Sequence, residues 1–167
     1  LYAELASERA GLEQVLTPAF PGWHEPAVAF TPKRNNVKKG YVAGVVFMKP
    51  GKFVSFNPRS HDHIAERLIA QRQWEPEEFT ETGKPQTDGD ILEVLGKKWP
   101  ECKVLARHGE IQKIIGMVAE GKTAYLKFVK NGRIYGRVVT NGAVTGRCAH
   151  KEPNLGNITR RSPLGKR

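Results

Sequence analysis

NGAVTGRCAHKEPNLGNI, residues 141–158, packs three signals into eighteen residues: an Asn141-Gly142 turn former, a Thr145-Gly146-Arg147 triplet, and the run Pro153-Asn154-Leu155-Gly156-Asn157-Ile158. It closes a strongly basic stretch and ends nine residues before Arg167. Content and position together read as the entrance to a larger site whose remainder lies outside the chain. The first residue, Leu1, falls inside a helical pattern, which points to a piece of something longer.

Charge supports a polyanion partner. Residues 1–100 hold 13 Lys or Arg and 13 Asp or Glu, whereas residues 101–167 hold 14 basic and 4 acidic ones. The whole surplus of +10 therefore sits in the second part. A one-sided basic half is the footprint of nucleic-acid binding, because phosphate neutralisation supplies most sequence-independent affinity. No run of eighteen or more apolar residues occurs, so no transmembrane helix and no membrane partner are expected. No charged and apolar leader pattern precedes the first helix. The two cysteines, Cys102 and Cys148, form no disulfide framework and read as free thiols of a reducing, cytoplasmic compartment.

Working outward, LYAELASERAGLEQVL puts Leu1, Leu5, Leu12 and Leu16 on one helical stripe over residues 1–16, with Pro18 and Pro21 as stops. Residues 17–40 carry four prolines and read as loop. Their basic cluster, Lys33, Arg34, Lys38 and Lys39, reads as a solvated loop in preference to a binding site. Strands are expected over 41–48 and 52–56, joined by a Pro50-Gly51 turn. Ser60 is a candidate N-cap for a helix over 61–71 with Ile64, Leu68 and Ile69 on its apolar face. A short helix capped by Thr87 or Asp88 reaches Leu95. A longer one covers 101–120 with Val104, Ile111, Ile115 and Val118 as its stripe and Gly121 as its stop. Gly109 and Gly116 mark weak points or close backbone approaches. Asn131-Gly132 signals a hairpin, followed by a strand over 134–139, an Asn141-Gly142 turn and a strand from Ala143.

His61-Asp62-His63 invites a metal reading. However, histidines two apart do not share a helix face and no cysteine lies near, so a structural role is expected. His24, His108 and His150 are isolated. No GxSxG, HExxH, Walker A or GxGxxG pattern is present. Lys113, Lys122, Lys127, Lys130, Arg133, Arg137, Arg147, Lys151, Arg160, Arg161, Lys166 and Arg167 fall on a helix, two turns and a terminal loop. Arg147 and the paired donors and acceptors of Asn154 and Asn157 suit the minor-groove acceptors that every base pair presents.

On these residues the string VVTNGAVTGRCAHKEPNLGNI resembles the first polymerase motif of the family A DNA polymerases, the bacterial DNA polymerase I enzymes and their tailed-phage relatives. The family pattern is roughly T-x-T-G-R, five or six residues, then P-N-L-x-N/Q-I-P. IQKIIGMVAEGKTAYLKFVKNGRIYG resembles the passage from thumb to palm, FNPRSHDHIAERL the thumb tip, and LYAELASERAGLEQVL the first thumb helix. Two departures stand out. Thr159 replaces the usual Pro, and Gly156 replaces a frequent Gln or Ala.

The resemblance implies an α+β piece. Its thumb helices lie at about 1–16 and 101–120 with a small mixed tip region, and the first β-strands of a palm follow. The domains would be 1–121, thumb-like with a shortened tip insertion at about 17–56, and 122–167, the start of the palm. It implies that the chain is the primer-template-binding portion of a DNA-directed DNA polymerase. Thr145, Arg147, Asn154 and Asn157 would lie at the DNA. Lys113, Lys122, Arg161, Lys166 and Arg167 are phosphate contacts by charge, and Asn57 and Ser60 are weaker candidates at the thumb tip. Family A enzymes hold two metal ions on aspartates. The last aspartate here is Asp90, so no catalytic residue and no metal site are expected in this chain. Mg2+ and deoxynucleotides would belong to the full-length enzyme. The short loop between residues 21 and 53 argues against a full thioredoxin-type processivity insertion. Two other readings stay open: a stand-alone, non-catalytic basic nucleic-acid-binding protein, and a basic globular protein whose partner is another protein.

Overall fold

The computed structural model describes residues 2–157. It combines helices with small antiparallel sheets, as the α+β expectation requires. The chain divides into two compact units, one of residues up to Leu12 with those from Arg107 onward, the other of Glu13–Ala106. Helix α1 (Tyr2–Ala19) and helix α4 (Pro100–Ile115) each contribute residues to both units.

Helix α1 outruns its expected end, because Pro18 lies inside it. Pro18 has no N–H to give the Gln14 carbonyl, so the last turn is held by other bonds. The end stays bonded: the Thr17 hydroxyl donates to the Glu13 carbonyl at 2.7 Å, and the Phe20 N–H donates to the Leu16 carbonyl at 2.9 Å. Leu16 and Phe20 are also buried, which ties that last turn to a core.

In the Glu13–Ala106 unit, Leu16 and Phe20 meet Ile64, Ala65 and Leu68 of α2 (His61–Arg72). Leu92 of α3 (Gly89–Leu95), Cys102 and Leu105 of α4, and Trp74 complete this core. Ser60 caps α2, its oxygen accepting from the His63 N–H at 3.3 Å. Ile69, expected on the apolar face, is exposed. The stripe is completed instead by Ala65 and by Trp74, whose N–H returns to the Leu68 carbonyl at 3.2 Å after the chain turns at Gln73. Asp88 holds the N-cap position of α3 without a side-chain bond. Burial pushes the Cys102 thiol up to about 11, with the Glu101 carboxylate adding to the rise and the Arg72 guanidinium opposing it. Cys102 and Cys148 are both free.

The segment expected to be loop holds two strands. Strand β1 (Trp23–Glu25) pairs antiparallel with β4 (Lys52–Val54), and β2 (Val28–Phe30) pairs with β3 (Phe47–Lys49). Residues 41–46 are not a strand. Tyr41 makes one isolated bridge to Asn36, and a short 3-10 turn (Val37–Lys39) lies between them. Pro50-Gly51 is likewise not a hairpin turn. It interrupts one long two-armed ribbon opposite Pro26, where neither proline has an N–H to give the ladder.

In the other unit, Leu5 of α1 packs with Ile111, Ile114 and Ile115 of α4, flanked by Leu12 and Val118. The buried line of α4 runs through Cys102, Leu105, His108, Ile111 and Ile115, leaving Val104 only partly covered beside it. The α-helical winding gives way at Gly116 to a π-helical turn (Gly116–Glu120) that ends at Gly121. Gly116 is therefore the weak point foreseen. At neither Gly109 nor Gly116 does a described atom outside the helix's own backbone lie within 4 Å of an added Cβ, so no other described backbone approaches there. The Arg9 guanidinium donates to both carboxylate oxygens of Glu120 at 3.0 Å and to Gln112 at 3.0 Å. Those bonds hold the Glu120 carboxyl below its ordinary value. The Glu8 and Glu110 carboxylates bind Arg107 and raise its pKa, against a smaller opposing effect of burial.

Candidate nucleic-acid interface

After Ala124 the chain forms a 3-10 turn (Tyr125–Phe128) and two small antiparallel pairs. Strand β5 (Val129–Lys130) pairs with β6 (Arg133–Ile134) across Asn131-Gly132. Both turn residues are left-handed, with φ of 50° and 72°, as a two-residue hairpin turn demands. The strand expected over 134–139 is broken at Tyr135-Gly136. Its second part, β7 (Arg137–Val139), pairs with β8 (Ala149–Lys151). No strand begins at Ala143. Residues 140–148 form the loop between β7 and β8 instead, since Asn141 and Gly146 both take positive φ.

That loop carries the Thr-Gly-Arg triplet. It closes on itself: the Ala143 N–H donates to the Arg147 carbonyl at 3.2 Å, and the Gly146 N–H donates to the Ala143 carbonyl at 2.9 Å. Gly146 has φ of 74°, a backbone that a side chain would strain. Thr145 and Arg147 are exposed, and Arg147 has no ion pair or side-chain hydrogen bond among the described residues.

The Pro-Asn-Leu segment is tied back onto the preceding turn. Pro153 is fully buried and follows a cis peptide bond. The Tyr125 hydroxyl donates to the Asn154 carbonyl at 3.2 Å, and partial burial raises the Tyr125 pKa. The Asn154 side-chain oxygen accepts from the Gly156 N–H at 3.1 Å. That bond fixes the side chain within the loop and leaves its NH2 and a second lone pair of the oxygen open. Tyr125 was not foreseen as part of this site. An aromatic 29 residues upstream in an ambiguous segment carries no local signal.

The electrostatics are lopsided. Lys130 faces Arg133 across one strand pair, and Arg137 faces Lys151 across the other. Directly opposed like charges destabilise a sheet, and none of these four has an ion-pair partner among the described residues. Lys113 and Lys122 are exposed. Lys127, by contrast, is engaged, its ammonium donating to the Gly121 carbonyl at 2.8 Å beyond the π-helical turn.

In the Glu13–Ala106 unit, Asn57 and Ser60 already have local work. The Asn57 side-chain oxygen accepts from the Arg59 N–H at 3.0 Å, and Ser60 caps α2. His61 and His63 are structural: His61 Nδ1 lies 2.8 Å from the buried Thr87 hydroxyl, and His63 Nδ1 accepts from the Asn57 N–H at 3.2 Å. Among the described residues no group of three His, Cys, Asp or Glu could hold a metal ion. No described helix is long and apolar enough to cross a membrane. The Asn157 side chain and Arg160, Arg161, Lys166, Arg167 and Thr159 lie outside what is described.

The exposed loop thus carries one cation, Arg147, and the strands beside it carry Lys130, Arg133, Arg137 and Lys151 without an ion-pair partner among the described residues. The sequence model of DNA polymerase family A matches residues 46–167. A DNA-directed DNA polymerase of Enterobacteria phage T3 is 34% identical over 210 residues, covering 99% of this chain and 30% of its own length. The corresponding polymerase of Escherichia phage T7 is 33% identical with the same coverage. A thermostable DNA polymerase I of Thermus thermophilus is 31% identical across 67% of this chain. The solved POL domain of Pol1 from M. smegmatis, in complex with DNA primer-template and dNTP, shares the fold at a TM-score of 0.63 and 21% identity. It covers 99% of this chain and 23% of its own length. The chain belongs to DNA polymerase family A. It spans about a third of the length of the phage polymerases that it matches.

Proposed function

We propose that the chain is the primer-template-gripping part of a DNA-directed DNA polymerase of the phage type, acting in DNA replication. Residues 1–121 form a thumb-like region and residues 122–167 the start of the palm. The observation that carries this reading is the pairing of like charges, Lys130 with Arg133 and Arg137 with Lys151, beside the unpartnered Arg147. Such a surface is electrostatically unfinished until phosphates lie on it.

Arg147, held out by the Gly146 turn, donates to minor-groove acceptors at the primer-terminal pair. The Asn154 NH2, oriented by the bond that its oxygen accepts from Gly156, does the same nearby. Asn157 is a third candidate, and Thr145 flanks them. Lys113, Lys122, Arg161, Lys166 and Arg167 touch phosphates. Asn57 and Ser60 are assigned to shaping the start of α2, with any DNA contact secondary.

The described residues offer Mg2+ no ligand set, and no aspartate follows Asp90. No chemical step is therefore assigned to this chain. The two-metal site, the deoxynucleotides and Mg2+ belong to the rest of the polymerase, which works in the cytoplasm of a bacterial or phage-infected cell. A thioredoxin-type partner is not invoked.

The test is Arg147→Ala in the polymerase that contains this chain. Primer extension falls at least tenfold while duplex affinity changes little, a loss of about 1.4 kcal/mol or more in the transition state alone. Unchanged extension removes Arg147 from the minor groove. Absence of salt-dependent duplex binding by the parent protein removes the whole reading.

A further inference from the structure

We propose that the cleft between helix α3 and the segment that follows α2 is a docking site for a basic peptide segment of another protein. One bulky apolar side chain of that segment sits on a floor of Trp74 and Trp99, and Lys or Arg residues beside it meet the carboxylates of the rim. The inference does not rest on the DNA-binding reading, because it concerns a face whose charge is of the opposite sign.

The sequence sets this stretch apart. Residues 73–96 hold seven acidic residues and one basic one, Lys84, in a chain of net charge +10. Lys84 is itself engaged, by Asp62 at 2.6 Å. A surface of this sign repels phosphates, so nucleic acid is not its ligand. Among the described residues no group of three His, Cys, Asp or Glu could hold a metal ion.

The cleft is built. It encloses about 640 Å3, and all of its walls belong to the Glu13–Ala106 unit. The chain turns at Gln73, whose backbone is left-handed, and Trp74 is buried against the core. From α3, Asp90, Ile91, Val94 and Leu95 line the cleft, two i, i+4 pairs side by side on one helix face. Trp99 follows, its N–H donating to the Leu95 carbonyl at 2.8 Å. The wall from Glu75 to Gln86 is a braced turn. The Thr80 N–H donates to the Lys84 carbonyl at 2.8 Å, and the Gln86 N–H donates to the Glu78 carbonyl at 2.9 Å.

Floor and rim differ in chemistry. Ile91, Leu95 and Trp99 are half-buried, and Val94 is 62% exposed. Glu75, Glu77, Glu78 and Asp90 are exposed and have no ion pair among the described residues. Against these four carboxylates the cleft has one cation, Lys98, whose ammonium lies 4.7 Å from the centre of the Trp99 ring. A purely apolar ligand would strip water from the carboxylates without replacing it. An acidic ligand would be repelled. A segment with an aromatic or long aliphatic side chain for the tryptophans and cations for the edge answers both. Buried anchors of that kind carry most of the energy of an interface, and charge complementarity sets its partner and its rate.

The test uses the intact polymerase that contains this chain, without DNA, and a fluorescent short peptide of alternating Lys and Arg around one central Trp. Binding is followed by anisotropy at low and at high salt. The wild type binds the peptide, and salt weakens the complex. Glu75→Gln, Glu77→Gln, Glu78→Gln and Asp90→Asn combined weaken it at least about tenfold. Val94→Arg, which puts a cation into the cleft, does the same, and so does replacing the peptide's Trp by Gly. All five positions are exposed, so both variants keep the fold. Absence of binding by the wild type overturns the proposal and leaves the cleft to another part of the same polymerase. Loss in the neutralised variant alone, with Val94→Arg and the Trp-free peptide without effect, overturns it as well, since the attraction is then general charge and not docking. Undiminished binding by both variants places the peptide elsewhere and overturns it too. None of these outcomes involves duplex binding, so the DNA-binding reading stands or falls separately.

Discussion

In the Glu13–Ala106 unit the helical part pairs some of its charges internally, whereas the strands after Tyr125 leave theirs open. Asp62 pairs with Lys84 at 2.6 Å, Glu66 with Arg67 at 3.0 Å, and Glu101 with Arg72, all around a core of Leu16, Phe20, Leu68 and Leu105. Each exposed pair is worth little on its own. Their significance is local neutrality. From Val129 to Asn154 only Pro153 is buried, and the cations stand opposite one another or free. The first region encloses a core. In the second, the short strands hold loops in place more than they enclose one.

The contrast breaks first on stability. Leu105, 1% exposed, should cost about 2–5 kcal/mol when cut to alanine. Arg147→Ala should stay within about 0.5 kcal/mol, as surface changes do, while lowering primer extension. Calorimetric melting of both variants in the same parent protein measures this. Equal melting shifts would mean that the Arg147 loop is part of the folded framework and not a surface kept for DNA.

How much of this was legible follows the same division. α2, α3 and α4 were readable because their apolar spacing and caps are local signals, and Asn131-Gly132 because few residues accept two positive φ values in a row. The ribbon was read only in its second arm, where the strand expected over 52–56 contains β4 and that over 41–48 overlaps β3 at Phe47 and Met48. The first arm was missed because its strands are three residues long and pair at a distance, Trp23 with Val54 and Phe30 with Phe47, across prolines that read as loop. Within the site, Arg147 and Asn154 were readable from their motif. That Tyr125 ties the segment down depends on a fold that brings distant residues together.

A middle-sized effect is expected at Gly142. A Cβ added there would sit 2.5 Å from the Cβ of Ala149, too close for an atom with no rotamer to escape through. Gly142→Ala should cost about 1–3 kcal/mol as overpacking. The loss should be confined to β7 and β8, so amide hydrogen exchange over residues 137–151 speeds up while the α2–α4 amides keep their protection. Global loss of protection would show that the open region stabilises more than its own loops.

The smallest effect concerns the ion pair that precedes the open region. Arg9 holds the Glu120 carboxyl below its ordinary value of 4.5, mainly by hydrogen bonding. A carboxyl whose pKa is lower in the folded state adds stability that is fully present above its unfolded value. That stability is lost as the pH falls through the folded one. Arg9→Ala should therefore move the Glu120 titration midpoint, read from its side-chain carboxyl carbon by NMR, upward toward the ordinary value. It should also remove this group's share of the acid sensitivity while leaving the protein's pH dependence near neutrality unchanged. The pair is partly exposed, so the shift in melting should be the least of the three. An unmoved midpoint would mean that Arg9 is not what lowers this carboxyl. The last charge settled before the basic strands would then have to be sought elsewhere in the turn.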